Sequence, residues 1–497
     1  MDEKAKAGKS DAETSSNDRP KWPVWAALAG ITALFLVLRL RNVNQLLGWD
    51  EAQLALTIKS FNAGTRDVWS SLSHIHPPLY LWLMAFLTKV FGARVVAYKV
   101  ISVLFSFGTL AVTYAIAKRL FSQGVALLAA FVLAVMPAAV AMDTWVKQDP
   151  LVGFLIVLTV YLFVRGSWKW AGLVFGLGML TKETAIFALM AVLLFSLASW
   201  DWEKLKQTAF IAGIGFVMSF WWYAWFATGM GHFWSFFRNG AGDGALFKQP
   251  FGYYFAGLTK DIGWLMLALL ATGLVVCVYK RIRDGEKDYA LPVVWFLGVY
   301  LFLSISVGKP YWMVPPAFPA IAMLCGIGAA GVLGLVPRLV TNPWAARSTK
   351  SALVAALVVV ALFSVFSLGY LSYNRARYKT YWDYSAGVKK DALYLKARSG
   401  DNPVMVILDE KQINRDAILT YYLGDTKQIS LFSNILPRPR ELVDKYAVPY
   451  NSDWIYIKTR PDVDQVDSFL AGLADSVPNK ITRNTRWGTT VQITWQP

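Results

Sequence analysis

The chain of 497 residues has only two cysteines, Cys277 and Cys325, and both fall inside apolar runs, which excludes a disulfide framework. Charge is also scarce. Asp, Glu, Lys and Arg make up 16% of the residues against 56% hydrophobic, whereas a soluble domain carries roughly 25% charged residues. Acidic side chains are the scarcer sign, 32 against 49 basic ones, a net charge of +17. Nucleic acid is not the partner this excess implies, because much of it sits in short connections between apolar runs, as membrane topology requires. No small-residue cleavage site follows a short apolar core near the N-terminus, so the first apolar run reads as an uncleaved anchor. No internal repeat is evident, and the C-terminal region has neither a Gly-rich phosphate loop nor a metal-ligand spacing.

What the chain does have is length in its apolar segments. Runs near or above about 18 residues recur from Trp22 to Tyr370, the pattern of a polytopic α-helical membrane protein. Residues 1–21 are polar and read as a disordered cytoplasmic tail. Spans are expected near 22–38, 95–117, 124–142, 150–165, 170–181, 184–200, 208–228, 259–279, 289–307, 311–336 and 351–373, about eleven in all. The segment "PPLYLWLMAFLTKVFG" (77–92) is only about 24 Å long as a helix, short of a hydrocarbon core of about 30 Å, and reads as an outer-face interfacial helix. Lys118 and Arg119, Arg165 and Lys169, Lys204 and Lys206, Lys280 to Arg283, and Arg338, Arg347 and Lys350 then all face the cytoplasm. Arg39, Arg41, Lys59, Arg66 and Arg94 break this rule. The expected division is a transmembrane catalytic domain over 22–373, with a first outer loop at 41–94, and a small soluble α/β domain outside the membrane over 374–497. Within the latter, "VMVIL", "QISLF", "DWIYIKT" and "TTVQITW" read as strands, and "NRDAILTYYLG" and "PDVDQVDSFLAGL" as helices.

Polar residues collect on the outer side. Asp50 and Glu51 open "DEAQLALTIKSF"; as a structural feature they suit a helix N-terminus, and neighbours about 100° apart on a helix do not both face one point. His74 and His76 precede the short helix. Asp149, before Pro150, suits a helix cap. Lys182 and Glu183 interrupt an apolar stretch, where ionisable groups point to function or pair with each other at a turn. Lys309 lies in a loop between two spans.

"GWDEAQLA", "HPPLYLWL", "KQDPLVGF", "GLGMLTKET" and "GKPYWMVPPAFP" occur in an order that resembles the bacterial relatives of the dolichyl-phosphate-mannose protein mannosyltransferases, a group that includes the lipid A aminoarabinose transferase. The resemblance spans about residues 20–340. It implies the GT-C fold, a polyprenyl-phosphate-linked sugar as donor, and transfer to a lipid A, protein or glycan acceptor on the outer face of an inner membrane. It further implies that Asp50 orients or deprotonates the acceptor hydroxyl and that Glu51 supports it. Asp149 matches an acidic site or metal-ligand position. Lys182, Lys309 and Tyr311 match positions that meet the lipid phosphate, as does His76, which stands where the aminoarabinose enzymes have lysine. Gln53 replaces a frequent cation; both departures leave the sugar and the acceptor open. No cofactor follows from the motifs, although a divalent metal would serve where the lysines do. Competing readings are a lipid-linked sugar transporter and a catalytically silent scaffold.

Overall fold

The computed structural model describes residues 22–69, 76–225, 248–367, 370–408, 417–424, 428–432, 454–457 and 479–493. The N-terminal 21 residues, His74 and the segment "PDVDQVDSFLAGL" lie outside this set. The N-terminal three quarters is a helical bundle: α1 (Trp22–Leu40), α2 (Trp49–Asn62), α3 (Leu79–Phe91), α4 (Val95–Leu120), α5 (Gln123–Val135), α6 (Pro137–Met142), α7 (Asp149–Val164), α8 (Trp168–Met179), α9 (Ile186–Ala198), α10 (Trp202–Trp225), α11 (Tyr253–Arg283), α12 (Ala290–Ile305), α13 (Phe318–Leu339) and α14 (Pro343–Ser367). Among the described residues, five stretches are long and apolar enough to cross a bilayer: α1, α4, α11, residues Lys287–Ile305 and residues Tyr311–Pro337. The chain is a membrane protein by this measure.

Local sequence sets where these helices start, stop and bend. Ser122 caps α5 by accepting from the Val125 amide. Pro137 then splits the single span expected over 124–142 into α5 and α6, because a proline removes a backbone donor and clashes with the preceding turn. Gly263 kinks α11 at φ +80°, a conformation open to glycine and costly for other residues. Further along, Gly273 of α11 and Gly328 of α13 bring the two backbones into direct contact; a Cβ at Gly328 would run into the Leu269 carbonyl.

The bundle has two distinct ends. At one, Arg119 donates to the Val164 carbonyl and Arg281 to that of Ala198, while Phe121 packs on Tyr289. The basic clusters at Lys118 and Arg119, Arg165 and Lys169, Lys204 and Lys206, and Lys280 to Arg283 lie here. At the other, the Leu79 amide donates to the Leu180 carbonyl, Tyr223 Oη to that of Met179 and Tyr254 Oη to that of Pro310. The motifs quoted above converge on this second end. Arg39 is no ordinary exception to the charge rule: it is fully buried and internally paired.

The last span expected at 351–373 is displaced. α14 begins at Pro343, and a separate 30-residue helix, α15 (Tyr370–Ser399), leads away from the bundle. It precedes β1 (Val404–Leu408), α16 (Ala417–Leu423), β2 (Gln428–Phe432), β3 (Trp454–Ile457), β4 (Asn479–Thr485) and β5 (Gly488–Ile493). The sheet order is β2-β1-β3-β5-β4, with β1 parallel to β2 and β3, and β5 antiparallel to β3 and β4. The residue 373/374 boundary therefore falls inside a helix. Val404, Ile418, Leu419 and Tyr456 share one apolar cluster with Leu47, Leu54, Tyr80 and Tyr98. The Leu47 amide also donates to Tyr422 Oη at 3.1 Å, which ties the sheet region to the first loop.

Candidate active site

The connection between α6 and α7, residues 143–148, is the hub of the site, and its groups are held by α1, α4 and α2. Asp143 pairs with Arg39 at 2.7 Å. The Trp145 carbonyl accepts from Ser102 Oγ at 2.7 Å. The Val146 amide donates to Glu51 at 2.9 Å, and Lys147 Nζ reaches Asp50 Oδ2 at 2.5 Å. Asp149, at the start of α7, pairs with Lys182 at 2.7 Å.

The adjacent carboxylates of the first loop do different work. Glu51 is buried to 1% exposure and accepts from the Gly48 amide at 2.7 Å, the Val146 amide and Lys99 Nζ at 3.4 Å. It fixes the start of α2 against α4 and the hub. The Asp50 side chain keeps 41% of its surface exposed and faces outward from this tie. Burial of its surroundings pushes the Asp50 carboxyl up, but the nearby Lys147, with His76 and Lys182, outweighs this and holds it below the usual aspartate range. Lys147 is the counterpart: burial lowers its pKa, while Asp50 and Asp149 raise it further, so the ammonium is retained. Its Nζ also lies 5.2 Å from the Trp145 ring and 4.8 Å from that of Trp312.

Two structural expectations for the other polar residues are overturned. Asp149 does not cap its helix: α7 starts at it, and its Oδ1 is taken by Lys182, because a buried ammonium needs an anion more than a helix end does. Nor do Lys182 and Glu183 pair with each other. Lys182 is extended, at φ −162° and ψ 147°, which sends neighbouring side chains apart. Lys182 goes to Asp149, and Glu183 Oε2 lies 3.1 Å from His76 Nδ1.

Lys309 is buried and donates to the Gln249 carbonyl at 3.0 Å and to the Ser306 carbonyl. No carboxylate partners it among the described residues, and burial lowers its pKa. Tyr311 lies on the same loop, but its hydroxyl is engaged: it donates to Asn374 at 2.9 Å and accepts from Trp382 Nε1 at 2.8 Å. Its role is thus to join the loop to α15.

Asp50, Glu51, His76, Asp149, Lys182 and Lys309 are therefore gathered at one end of the bundle. Sequence reasoning missed Lys147, Lys99 and Arg39, which complete the pairs. Lys147 opens the quoted "KQDP", and its signal was a lysine flanked by tryptophan and aspartate. As a metal site the set fits poorly. Among the described residues no three His, Cys, Asp or Glu side chains group to hold a cation, and Asp149, the candidate ligand, has one oxygen bound to an ammonium. An apolar cavity of about 540 Å³ opens beside the Met179–Lys182 turn, lined by Phe175, Met179, Ile186, Phe216 and Tyr223.

A broken helical bundle with its charged pairs at one end, followed by a sheet-bearing C-terminal region, is a fold shared with two solved structures. The crystal structure of ArnT from Cupriavidus metallidurans bound to undecaprenyl phosphate aligns with a TM-score of 0.62 over 94% of this chain and 97% of that one, at 16% identity. The Archaeoglobus fulgidus oligosaccharyltransferase aligns with a TM-score of 0.55 over 88% of this chain and 70% of that one, at 12% identity. The family model described as dolichyl-phosphate-mannose-protein mannosyltransferase matches residues 75–225. An uncharacterised protein of Aquifex aeolicus is 26% identical over 262 residues, 50% of this chain and 52% of its own. The undecaprenyl phosphate-alpha-4-amino-4-deoxy-L-arabinose arabinosyl transferase 1 of Pseudomonas fluorescens is 26% identical over 269 residues, 49% of this chain and 48% of its own. The matches thus span about half the length of these curated relatives. Over residues 75–225 the chain is thus similar to the dolichyl-phosphate-mannose-protein mannosyltransferase model, and over about half its length to the arabinosyl transferase of Pseudomonas fluorescens.

Proposed function

We propose that the chain transfers a sugar from a polyprenyl-phosphate donor to an acceptor at the outer face of an inner membrane. The observation that carries this reading is the charge balance at one end of the bundle. Asp50, Glu51, Asp143 and Asp149 each lie against a lysine or arginine and Glu183 against His76, while the buried Lys309 has only carbonyl partners among the described residues. A buried ammonium that no carboxylate contacts suits an anionic phosphate leaving group. The apolar cavity beside Lys182 is suited to the first isoprene units of the lipid.

In this mechanism the acceptor hydroxyl donates to Asp50. Its oxygen attacks C1 of the sugar as the C1–O bond to phosphate breaks, through an oxocarbenium-like state. The bonding pair leaves with the phosphate, whose growing charge is met by Lys309, Lys182 and His76. Asp50, ionised because Lys147 holds its pKa down, takes the proton late, when the attacking oxygen has become acidic. A single displacement inverts the anomeric centre, and no step runs through a metal. Tyr311 positions the phosphate-binding loop against α15.

The charge difference between the two ends supports an orientation. By the positive-inside rule the basic end is cytoplasmic and the Asp50 end lies outside, as does the region 374–497. The test is consumption of labelled polyprenyl-phosphate sugars in membranes holding equal amounts of wild type and D50N. Turnover by wild type alone supports the proposal. Equal turnover by both removes Asp50 from the chemistry. Absence of turnover across a broad donor panel, together with flipping of a lipid-linked sugar, would favour a transporter.

A further inference from the structure

A second polar cleft lies away from the Asp50 site, between α15 and the β4–β5 hairpin. Its volume is about 380 Å³, and Arg375, Asp383, Lys390, Asp391, Arg483 and Arg486 supply its charge. That size is in the range of small-molecule pockets, roughly 300–1,000 Å³.

The cleft is built from the hairpin upward. The tip residues Arg486 and Trp487 follow Thr485, whose hydroxyl accepts from the Trp487 and Gly488 amides at 3.2 Å. The indole lies against Gly387 of α15, where a side chain would collide with it, and packs edge-on with Tyr384 at 5.5 Å. Below it, Asp391 is buried to 1% exposure and accepts from Thr485 Oγ1 at 2.8 Å and Tyr456 Oη at 3.0 Å. Asp391 also pairs with Arg483 at 3.2 Å, and Asp383 with Arg375 at 2.6 Å. Both carboxylates are thus matched by an arginine. Lys390 and Arg486, both exposed, remain without an acidic partner among the described residues. The Arg486 guanidinium rests 5.0 Å from the centre of the Trp487 ring, which limits its freedom.

We infer that this cleft binds a hydroxyl-bearing phosphate ester, with Lys390 and Arg486 meeting the phosphate and the Asp383–Arg375 pair meeting the hydroxyls, over a floor held by Asp391. The two excess positive charges call for an anion, and guanidinium groups favour phosphate oxygens over a point-like counterion. The Asp383 carboxylate is an acceptor for which a polyol offers several donors and inorganic phosphate only one or two. The floor is preformed by buried hydrogen bonds, so binding does not have to order it. This site is distinct from the Asp50 centre and does not depend on the transferase reading.

Labelled glucose 1-phosphate is the probe, with the full chain in phosphatidylcholine nanodiscs. Three proteins are compared by equilibrium binding: wild type, K390A/R486A and K182A/K309A. The last removes two cations of the Asp50 end, so binding there is told apart from binding in the cleft. Saturable binding is expected in wild type and in K182A/K309A, at least tenfold weaker in K390A/R486A. Unlabelled glucose should not compete, and inorganic phosphate should compete at least fivefold more weakly than glucose 1-phosphate. Lys390 and Arg486 are exposed, so their removal leaves the fold intact. Unchanged binding by K390A/R486A, or its loss only in K182A/K309A, would overturn the inference. Equal competition by inorganic phosphate would overturn the hydroxyl contacts.

Discussion

The two neighbouring acids of the first loop should separate cleanly when each loses its charge. In E51Q the amide keeps one acceptor oxygen for two backbone donors, the Gly48 and Val146 amides, and turns an N–H toward one of them. The fully buried Lys99 loses its carboxylate at the same time. Breaking a buried ion pair from one side costs about 3–5 kcal/mol, or between about two and four powers of ten in the folding equilibrium. E51Q/K99M removes the stranded ammonium and should recover more than half of that loss. D50N should change stability by less than about 1 kcal/mol, because Asp50 is partly exposed and its ion pair is solvent-screened. Yet D50N should abolish donor turnover. The assay is unfolding of the purified protein by SDS titration in mixed micelles, run alongside donor consumption. E51Q within about 1 kcal/mol of wild type, or no recovery in E51Q/K99M, would refute the assignment of Glu51 as the structural member.

Other outcomes follow from the same geometry. The Asp50 carboxyl sits below its usual range, so wild-type turnover should show no acid limb from Asp50 between about pH 5 and 7. K147A removes the group that lowers it and leaves burial to raise it, so a limb should move up into that window, read from a pH profile of turnover. The stability that Asp50 draws from its lowered pKa is present above the ordinary aspartate range and is lost as pH falls through the folded value; melting midpoints below about pH 4 should therefore drop less in D50N than in wild type. K182M should strand the Asp149 carboxylate and raise the donor KM at least tenfold, measured by initial rates over a donor series. G328V should prevent stable folding, seen as loss of the monodisperse peak in detergent chromatography, because α11 and α13 have no room to separate.

Much of the bundle was legible because a membrane span is a property of composition along a stretch. Ten residues of alternating or mixed pattern are harder to place than twenty apolar ones. Pro137 marked a break that hydropathy averaging hid, and α15 was not foreseen because its charged residues look like a surface segment. Those charges are partly internal: Arg377 of α15 is 4% exposed and pairs with Asp261 of α11. At the site, the acids were found from their motifs, while the bases that answer them were harder to see. Arg39, Lys99 and Lys147 lie 104, 48 and 97 positions from their partners. No local spacing records such a match. The adjacency of Lys182 and Glu183 even suggested the wrong pairing, since proximity along an extended chain puts side chains on opposite sides.

The join between the bundle and α15 has a consequence for how the chain can be divided. Tyr373 donates to Asp261, Arg377 stands against Tyr253 and Tyr311, and Asn374 and Trp382 hold the Tyr311 hydroxyl. The helix that leaves the bundle is thus a keystone of the loop that carries Lys309. A shortened chain ending at residue 373 would not be a free catalytic module, and a C-terminal region borrowed from a relative would have to bring the contacts of the same four residues. The two regions are therefore bound to vary together, as a single inherited unit, even though one is apolar and the other carries a sheet.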